Sequence, residues 1–262
     1  MPETPDWKNI LQELVDNIQD KVLSVVPKRH SMPVNDFKRH LDDEAQEAIV
    51  ETLTKNRVSA YLVSEEGDQM FGGGDYFIVA DPVDGTTNLA RGLQPAVTSI
   101  SVSETETQGG VFAGIVVNLY TGETYFAEKG KGAMQDDWPL QAAAHTQYRD
   151  ALVSMDMSKV PRLDVMAPLI RECRHIRAGG CSAMSLCHVA AGVLDAHVDV
   201  RGILRATDVS AGLLILREAG GVYNVDGEPF GDFPLTRDTR FELAAASSPE
   251  LMDEINQLLR VG

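Results

Sequence analysis

The stretch VADPVDGTTN, residues 79 to 88, places two aspartates directly behind an apolar run. Asp81 and Asp84 are separated by a Pro-Val dipeptide, and a turn there brings both carboxylates and the Val83 carbonyl to one side. Hard oxygen ligands in this number suit Mg²⁺, and the histidines and cysteines have no spacing that suggests zinc. The stretch therefore predicts a divalent-metal site at the end of a buried strand.

The second aspartate is followed at once by Gly-Thr-Thr. Gly85 and Thr86 present backbone N–H groups at the predicted start of a helix, an arrangement that receives phosphate oxygens. The plainer interpretation is that Asp84 caps this helix and that Asp-Gly is only a turn. A metal site beside phosphate-binding N–H groups instead predicts phosphoryl chemistry.

Three further carboxylates fall at the predicted ends of helices and strands, where a side chain is held rigidly at the edge of a cleft. They are Asp42, Glu65 and Asp208. Any one of them alone is explained as an ordinary capping or surface residue. Because five such carboxylates occur together, two of them inside one short motif, we interpret the group as metal ligands.

Two other aspartate motifs differ from this one. An EF-hand does not fit, because Val83 stands at position three of the loop, where a ligand is needed, and the glycine comes one residue early. A haloacid-dehalogenase-type phosphatase stays open as an alternative, with Asp81 attacking phosphorus covalently. Its aspartates are spaced D-x-D, whereas the pair here is D-x-x-D. The extra residue would misplace the acid relative to the nucleophile, which favours metal-assisted hydrolysis.

The composition is that of an acidic globular protein. The 262 residues include 23 Lys+Arg and 39 Asp+Glu, a formal net charge of −16. Neither nucleic acid nor membrane is expected as a partner, because an acidic chain repels a phosphate backbone and no apolar run reaches the length of a membrane span. Cys173, Cys181 and Cys187 form no paired motif, and no signal-peptide pattern opens the chain. We expect a cytoplasmic protein with reduced thiols.

The hydrophobic period changes along the chain. A helix is predicted over residues 4–26 with Thr4 as its cap, and its apolar stripe is either core or subunit interface. A second helix is predicted from about Asp42. Strands dominate the rest of the first half, and helices alternate with strands in the second. This pattern predicts an α+β subdomain over 1–145 with the metal motif and an α/β subdomain over 146–262 that completes the site.

Three segments together resemble the inositol monophosphatase family of Mg²⁺-dependent, lithium-sensitive phosphatases. They are SEEG at 64–67, DPVDGTTN at 81–88 and TDVSAGLLILREAGG at 207–221. The resemblance implies a layered α/β/α/β/α sandwich, two or three Mg²⁺ ions at the cleft between the subdomains, and a homodimer. Many members have Trp where this chain has Thr207, and LDAHVDVRGILRATD at 194–208 looks more like the archaeal branch that acts on both inositol phosphate and fructose 1,6-bisphosphate.

The resemblance also implies roles for individual residues. The metal ligands would be Glu65, Asp81, the Val83 carbonyl, Asp84 and Asp208. Glu65 and Thr86 would orient and deprotonate the attacking water, with Asp42 close to the metals as a further catalytic residue and Glu66 as the alternative if the register slips by one. The predicted substrate contacts are Asp84, Gly85, Thr86, Arg177, Ser182, Asp199 and Arg201.

These residues predict a phosphomonoesterase that acts on a small phosphorylated substrate, inositol 1-phosphate, fructose 1,6-bisphosphate or both. Arginine side chains, in addition to the metal ions, are suited to binding a second phosphate group. A nucleotide 3′-phosphatase acting on adenosine 3′,5′-bisphosphate is the alternative within the family. A metal-binding regulator without catalytic activity is the alternative outside the enzymes.

Overall fold

The structure is a computed structural model that describes residues 5–144 and 146–261. Its α-helices are α1 (Trp7–Val25), α2 (Val34–Lys55), α3 (Thr86–Arg91), α4 (Leu163–Glu172), α5 (Ser182–Ala190), α6 (Ala206–Glu218) and α7 (Pro249–Val261). Short 3₁₀ turns lie at Val26–Lys28, Gln108–Gly110 and Tyr148–Asp150.

The first half of the chain forms an eight-stranded sheet. Its strands are β1 (Ala60–Ser64), β2 (Gln69–Phe71), β3 (Tyr76–Asp84), β4 (Val97–Ser103), β5 (Val111–Asn118), β6 (Thr124–Glu128), β7 (Gly132–Gln135) and β8 (Trp138–Pro139), in the order β2-β1-β3-β4-β5-β6-β7-β8. Only β1 and β3 are parallel among its paired strands in the described chain; the other pairs are antiparallel. The two parallel strands therefore end at the same edge of the sheet.

The second half forms a six-stranded sheet. Its strands are β9 (Leu152–Met155), β10 (His175–Arg177), β11 (Ala196–Leu204), β12 (Val222–Val225), β13 (Glu228–Pro229) and β14 (Phe241–Ala246), in the order β10-β9-β11-β14-β12-β13. β9 is parallel to β10 and β11, and the remaining pairs are antiparallel.

The helices and sheets form five layers. α1 and α2 cover the outer face of the first sheet, where one apolar core includes side chains of both helices and of alternate sheet positions such as Ile78 and Ile100. α5 and α6 lie between the two sheets and contact both. α4 and α7 cover the far face of the second sheet. This arrangement confirms the predicted α/β/α/β/α sandwich.

Both N-terminal helices begin elsewhere than predicted. α1 starts at Trp7, where Asp6 accepts a hydrogen bond from the Asn9 backbone N–H at 3.3 Å, and the predicted cap Thr4 lies outside the described residues. α2 starts at Val34, two turns before Asp42. Its buried stripe already begins with Phe37 and continues one turn later, so Asp42 lies within the helix rather than at its cap.

The apolar stripe of α1 belongs to the core of this chain. Leu11, Leu14 and Ile18 are fully buried against α2 and the first sheet, so the stripe is not available as a subunit interface. The boundary between 1–145 and 146–262 stays a prediction, since α5 and α6 from the second half pack on the sheet of the first half. His145, at that boundary, lies outside the described residues.

The α2 face that packs on the sheet can be tested by truncation. Ile49 is fully buried in the outer core, so we expect Ile49→Ala to lower the free energy of unfolding by about 2–5 kcal/mol through lost burial and a residual cavity. Arg39→Ala, at an exposed position of the same helix, should change it by less than about 0.5 kcal/mol. Urea unfolding would measure both values, and equal losses would contradict this packing.

Candidate metal centre

A carboxylate cluster of Glu65, Asp81 and Asp208 lies where the parallel strands β1 and β3 end. Each residue offers one carboxylate oxygen, and these oxygens all lie within 4.8 Å of one another. Ser64 and Ala80 are paired in register, and the Glu65 backbone N–H donates to the Ala80 carbonyl at 3.2 Å. The residues that follow in each strand, Glu65 and Asp81, are therefore neighbours.

Asp208 reaches the cluster from the first turn of α6, where Arg205 is the N-cap. The Arg205 backbone N–H donates to Asp208 Oδ2 at 3.1 Å, and its side-chain Nε donates to Asp208 Oδ1 at 3.1 Å. Thr207 is buried and donates its hydroxyl to Asp208 Oδ1 at 3.2 Å. The helix start thus fixes both oxygens of Asp208.

Arg205 also reaches the other side of the cluster. Its Nη1 lies 2.5 Å from Glu65 Oε1. One guanidinium therefore bridges a strand end and a helix start that are far apart in the sequence. Sequence reasoning missed Arg205, although it stands three residues before Asp208, the spacing of a reciprocal helix cap.

The turn after Asp81 is held by its own polar groups. Asp81 Oδ1 accepts from the Val83 backbone N–H at 3.0 Å, and the Thr86 hydroxyl donates to the Val83 carbonyl at 2.8 Å. Gly85 caps α3 with φ +92°, and a Cβ there would lie 2.9 Å from the Pro95 carbonyl oxygen. Both the backbone angle and the close approach require glycine at this position.

Asp84 lies beside the cluster and faces α5. Its Oδ2 accepts from the Ala183 backbone N–H at 2.9 Å and from the Cys181 thiol at 3.2 Å. Sequence reasoning missed both of these partners. Asp84 is not among the three residues whose oxygens lie within 4.8 Å of one another, so it is a neighbour of that group in the described chain.

Asp42 approaches from α2 on the outer side of the turn. Its Oδ1 lies 3.5 Å from the Thr86 hydroxyl, which donates more closely to the Val83 carbonyl. Burial, followed by the charges of Glu66 and Glu65, raises the pKa of Asp42 to about 7. Glu66, the alternative to Glu65 if the register slipped by one, is exposed, whereas Glu65 belongs to the carboxylate cluster.

The carboxylates of this region oppose each other's ionisation. Burial and then the charge of Asp84 raise the pKa of Asp81 well above its usual range. Burial and then Asp208 raise the pKa of Asp84 to about 7, and burial raises that of Asp208 although Arg205 acts in the opposite direction. One guanidinium does not neutralise this many oxygen donors. The donor set fits a divalent cation such as Mg²⁺, which is the usual partner of clustered carboxylates and carbonyls.

The predicted substrate-contact residues of the second half form a separate polar group. The Arg201 side chain donates to both carboxylate oxygens of Asp199, with Nε–Oδ1 2.8 Å and Nη2–Oδ2 2.6 Å. It also lies 3.6 Å from Asp156 Oδ2, which accepts from the Ser182 hydroxyl at 3.3 Å. Sequence reasoning missed Asp156, which carries no motif and is buried.

Asp199 does not present a free oxygen to a ligand. It is fully buried, and both oxygens accept from Arg201. Asp199 thus supports Arg201, which stands two positions further along the same strand, through a bidentate contact, and its predicted contact with the substrate stays a prediction. Arg177 lies at the end of the edge strand β10 and is exposed, and its Nη1 donates to the Ile176 carbonyl at 3.0 Å.

A pocket of about 230 Å³ opens beside the cluster. It is lined by Glu65, Arg205, Thr207, Arg237, Asp238 and Arg240. A larger pocket of about 520 Å³ lies away from the cluster, between the second sheet and α7. Within the described residues, none of the helices combines the length and the hydrophobicity that a membrane-spanning helix needs.

Comparison with known proteins agrees with this geometry. The family model for the inositol monophosphatase family matches residues 8–260. A fructose-1,6-bisphosphatase/inositol-1-monophosphatase from Archaeoglobus fulgidus is 32% identical over 221 residues, covering 82% of each chain. The Nus factor SuhB of Pasteurella multocida is 32% identical over 195 residues, covering 72% of this chain and 71% of that protein.

The fold is shared with solved structures. The MJ0109 gene product, an inositol monophosphatase-fructose 1,6 bisphosphatase, superimposes with a TM-score of 0.83 at 24% identity, covering 97% of this chain and 100% of that one. The resemblance predicted from the three sequence segments is thus confirmed. This chain belongs to the inositol monophosphatase family of phosphoric monoester hydrolases.

Proposed function

We propose that this chain is a Mg²⁺-dependent phosphomonoesterase that hydrolyses inositol 1-phosphate, fructose 1,6-bisphosphate or both. The observation that carries the proposal is the carboxylate cluster, whose three oxygens lie within 4.8 Å beside the turn that begins at Asp81. The name of the Archaeoglobus fulgidus relative, which includes both activities, supports these two substrates.

The proposed metal ligands are Glu65, Asp81, Asp208, Asp84 and the Val83 carbonyl. All are hard oxygen donors, and their mutual repulsion favours a cation among them. Two or three Mg²⁺ ions, when bound, would screen the phosphate charge and acidify the attacking water. Asp84 Oδ2 accepts a hydrogen bond from the Ala183 backbone N–H in α5, and this contact fixes the orientation of the carboxylate.

Three side chains are proposed to hold the attacking water. The Thr86 hydroxyl donates to the Val83 carbonyl, so its oxygen lone pairs are free to accept a hydrogen bond from water. Glu65 would take the proton, and Asp42 lies on the far side of Thr86. The phosphate itself would rest against Asp84 and the backbone N–H groups of Gly85 and Thr86.

The second polar group would bind the remainder of the substrate. Arg201 is fixed by Asp199 and by Ser158, whose hydroxyl accepts from Nη1 at 3.1 Å. A guanidinium held in this way is suited to a second phosphate, because little side-chain entropy is lost on binding. Ser182 and Arg177 remain proposed substrate contacts, and Asp199 is now proposed as a positioning residue.

The covalent alternative is disfavoured. Asp81 is only 2% exposed, and its Oδ1 already accepts from the Val83 N–H. A nucleophile that attacks phosphorus in line needs an accessible oxygen. The nucleotide 3′-phosphatase stays an alternative that differs only in substrate.

A regulatory role is a second candidate function. It is favoured by the Pasteurella multocida relative, which is named a Nus factor. Cation binding without phosphate release from any ester would support that role. The expected homodimer and cytoplasmic location stay predictions.

The proposed reaction is tested by Asp81→Asn. Phosphate release from inositol 1-phosphate, fructose 1,6-bisphosphate and adenosine 3′,5′-bisphosphate would be measured with Mg²⁺ and with EDTA. We expect Mg²⁺-dependent release from the first two, and a loss of kcat/KM of at least about a hundredfold in the variant, because a ligand charge is removed from the cluster. Asp16→Asn, on the exposed side of α1, is the matched control. Substantial activity in Asp81→Asn would reject the metal assignment.

Arg201→Ala tests the second-phosphate contact. We expect kcat/KM to fall about tenfold or more for fructose 1,6-bisphosphate and much less for inositol 1-phosphate, because only the former has a second phosphate. Thermal unfolding of the variant would check that the buried Asp199, left without its partner, has not disrupted the fold. Equal losses on both substrates would mean that Arg201 has a structural role.

The raised pKa of Asp42 predicts a pH-dependent stability. Between the unfolded pKa of about 4 and the folded pKa of about 7, the folded chain binds more protons than the unfolded chain. Asp42 therefore lowers the free energy of unfolding progressively as pH rises through this window. In EDTA, we expect Asp42→Asn to be increasingly more stable than the wild type from pH 4 to 7, and the gain to level off above pH 7.

Urea unfolding at several pH values would measure that gain, with Asp43→Asn as the charge-matched control on the same helix. A gain for Asp42→Asn that shrinks as pH rises would contradict the assigned direction of the pKa shift.

A further inference from the structure

Arg205 is the cation that the carboxylate cluster already contains. Its guanidinium contacts Glu65 Oε1 at 2.5 Å and Asp208 Oδ1 at 3.1 Å, and these carboxylates belong to two of the three residues of the cluster. Although burial opposes the charge, Asp208 and Glu65 raise the pKa of Arg205, so it is positively charged at any physiological pH. Its positive charge offsets part of the negative charge of carboxylates that would otherwise repel each other.

A divalent cation would need the same oxygens. Lone pairs that accept from Nε and Nη1 are not available to a metal ion in that direction, and a guanidinium in contact with the ligands repels an ion bound by them. Both positive groups therefore compete for Glu65 and Asp208. Binding of the ion is stronger if the guanidinium moves away from these carboxylates.

The pocket beside the cluster offers the guanidinium a place to go. Arg205 lines this pocket of about 230 Å³ together with Asp238. Among the described residues Asp238 is exposed and has no hydrogen bond or ion pair, whereas Arg237 is already paired with Asp68 at 3.3 Å. Arg240, which also lines the pocket, donates to backbone carbonyls and forms no ion pair with Asp238 in the described chain. An arginine side chain that leaves the cluster thus finds space and an unpaired carboxylate.

We propose that Arg205 is an internal counter-ion that exchanges with the divalent cation. It neutralises Glu65 and Asp208 when they hold no ion, and it moves into the pocket towards Asp238 when an ion takes these carboxylates. Arg205 thereby weakens cation binding and couples it to a side-chain movement at the start of α6. This inference rests on the proposed metal site.

The exchange is tested by isothermal titration of Mg²⁺ and of Mn²⁺, without substrate, into the wild type and Arg205→Gln. We expect the variant to bind each ion at least about tenfold more tightly, because a competing charge near the ion is removed. In EDTA its melting temperature should be lower than that of the wild type, and saturating Mg²⁺ should reverse the order. Arg237→Gln, with the same charge change in the same pocket but no contact to the cluster, should shift the affinity by no more than about twofold.

The outcomes separate the exchange from the metal site itself. Unchanged or weaker binding in Arg205→Gln, or an equal gain in Arg237→Gln, would overturn the exchange. If Arg205→Gln does not fold, Arg205→Lys takes its place, since lysine cannot bridge both carboxylates: tighter binding than wild type supports the proposal and unchanged binding overturns it.

The proposed movement of the Arg205 side chain towards Asp238 is tested by Asp238→Asn. It should weaken binding about twofold to threefold by removing the acceptor in the pocket, and unchanged binding would reject Asp238 as the partner. Asp81→Asn provides the independent check of the proposed function. If its cation affinity equals that of the wild type, the metal site is absent, whatever Arg205 does.

Discussion

The repulsion among carboxylates at one edge of the first sheet is the constraint on which the rest of this structure depends. Asp81 is 2% exposed, and this burial, followed by the charges of Asp84 and Glu65, raises its pKa. Buried like charges destabilise a fold unless they are protonated or a cation lies among them. The chain places one guanidinium there and leaves further oxygens in excess. Such a site is stabilised either by protonation of its carboxylates or by added positive charge, and the second is the property that a cation-dependent enzyme needs.

The fold brings these carboxylates together because one strand pair of the first sheet departs from its otherwise antiparallel pairing. Only one pair in the first sheet, β1 with β3, is parallel among the described strands, and both strands end at the cluster. An antiparallel pair would have put the ends of the two strands at opposite edges. The third carboxylate comes from the start of α6, so the cluster forms where the first sheet meets the helix layer between the two sheets. The layers are thus required by the site as well as by the core.

Much of this arrangement could be predicted from short motifs, because their chemistry is local. The D-P-V-D-G-T string specifies its own turn through the Asp81–Val83 hydrogen bond and the left-handed Gly85, and neither depends on distant residues. Contacts between segments far apart in the sequence were not predictable. Arg205 reaches Glu65 across 140 positions, and the Ala183 backbone N–H reaches Asp84 across 99 positions. The apolar stripe of α1 has the same helical periodicity whether it packs on a sheet or on a second subunit. The sequence periodicity therefore could not show which of the two surfaces it contacts.

The carboxylate cluster and the polar group around Arg201 are held in place by different kinds of contact. This difference bears on how members of the family can differ in substrate. At the cluster, Asp81 is fixed by a backbone N–H of its own turn, Asp84 by a backbone N–H of α5, and Asp208 by a backbone N–H of its own cap. These supports persist when neighbouring side chains change. Arg201 is fixed almost entirely by side chains, Asp199, Asp156 and Ser158. A few substitutions in β11 and the segment after β9 can therefore remake the surface that we propose meets the distal part of a substrate. Asp81 and Asp208 keep their backbone contacts when that happens, whereas Glu65 is held by the Arg205 side chain.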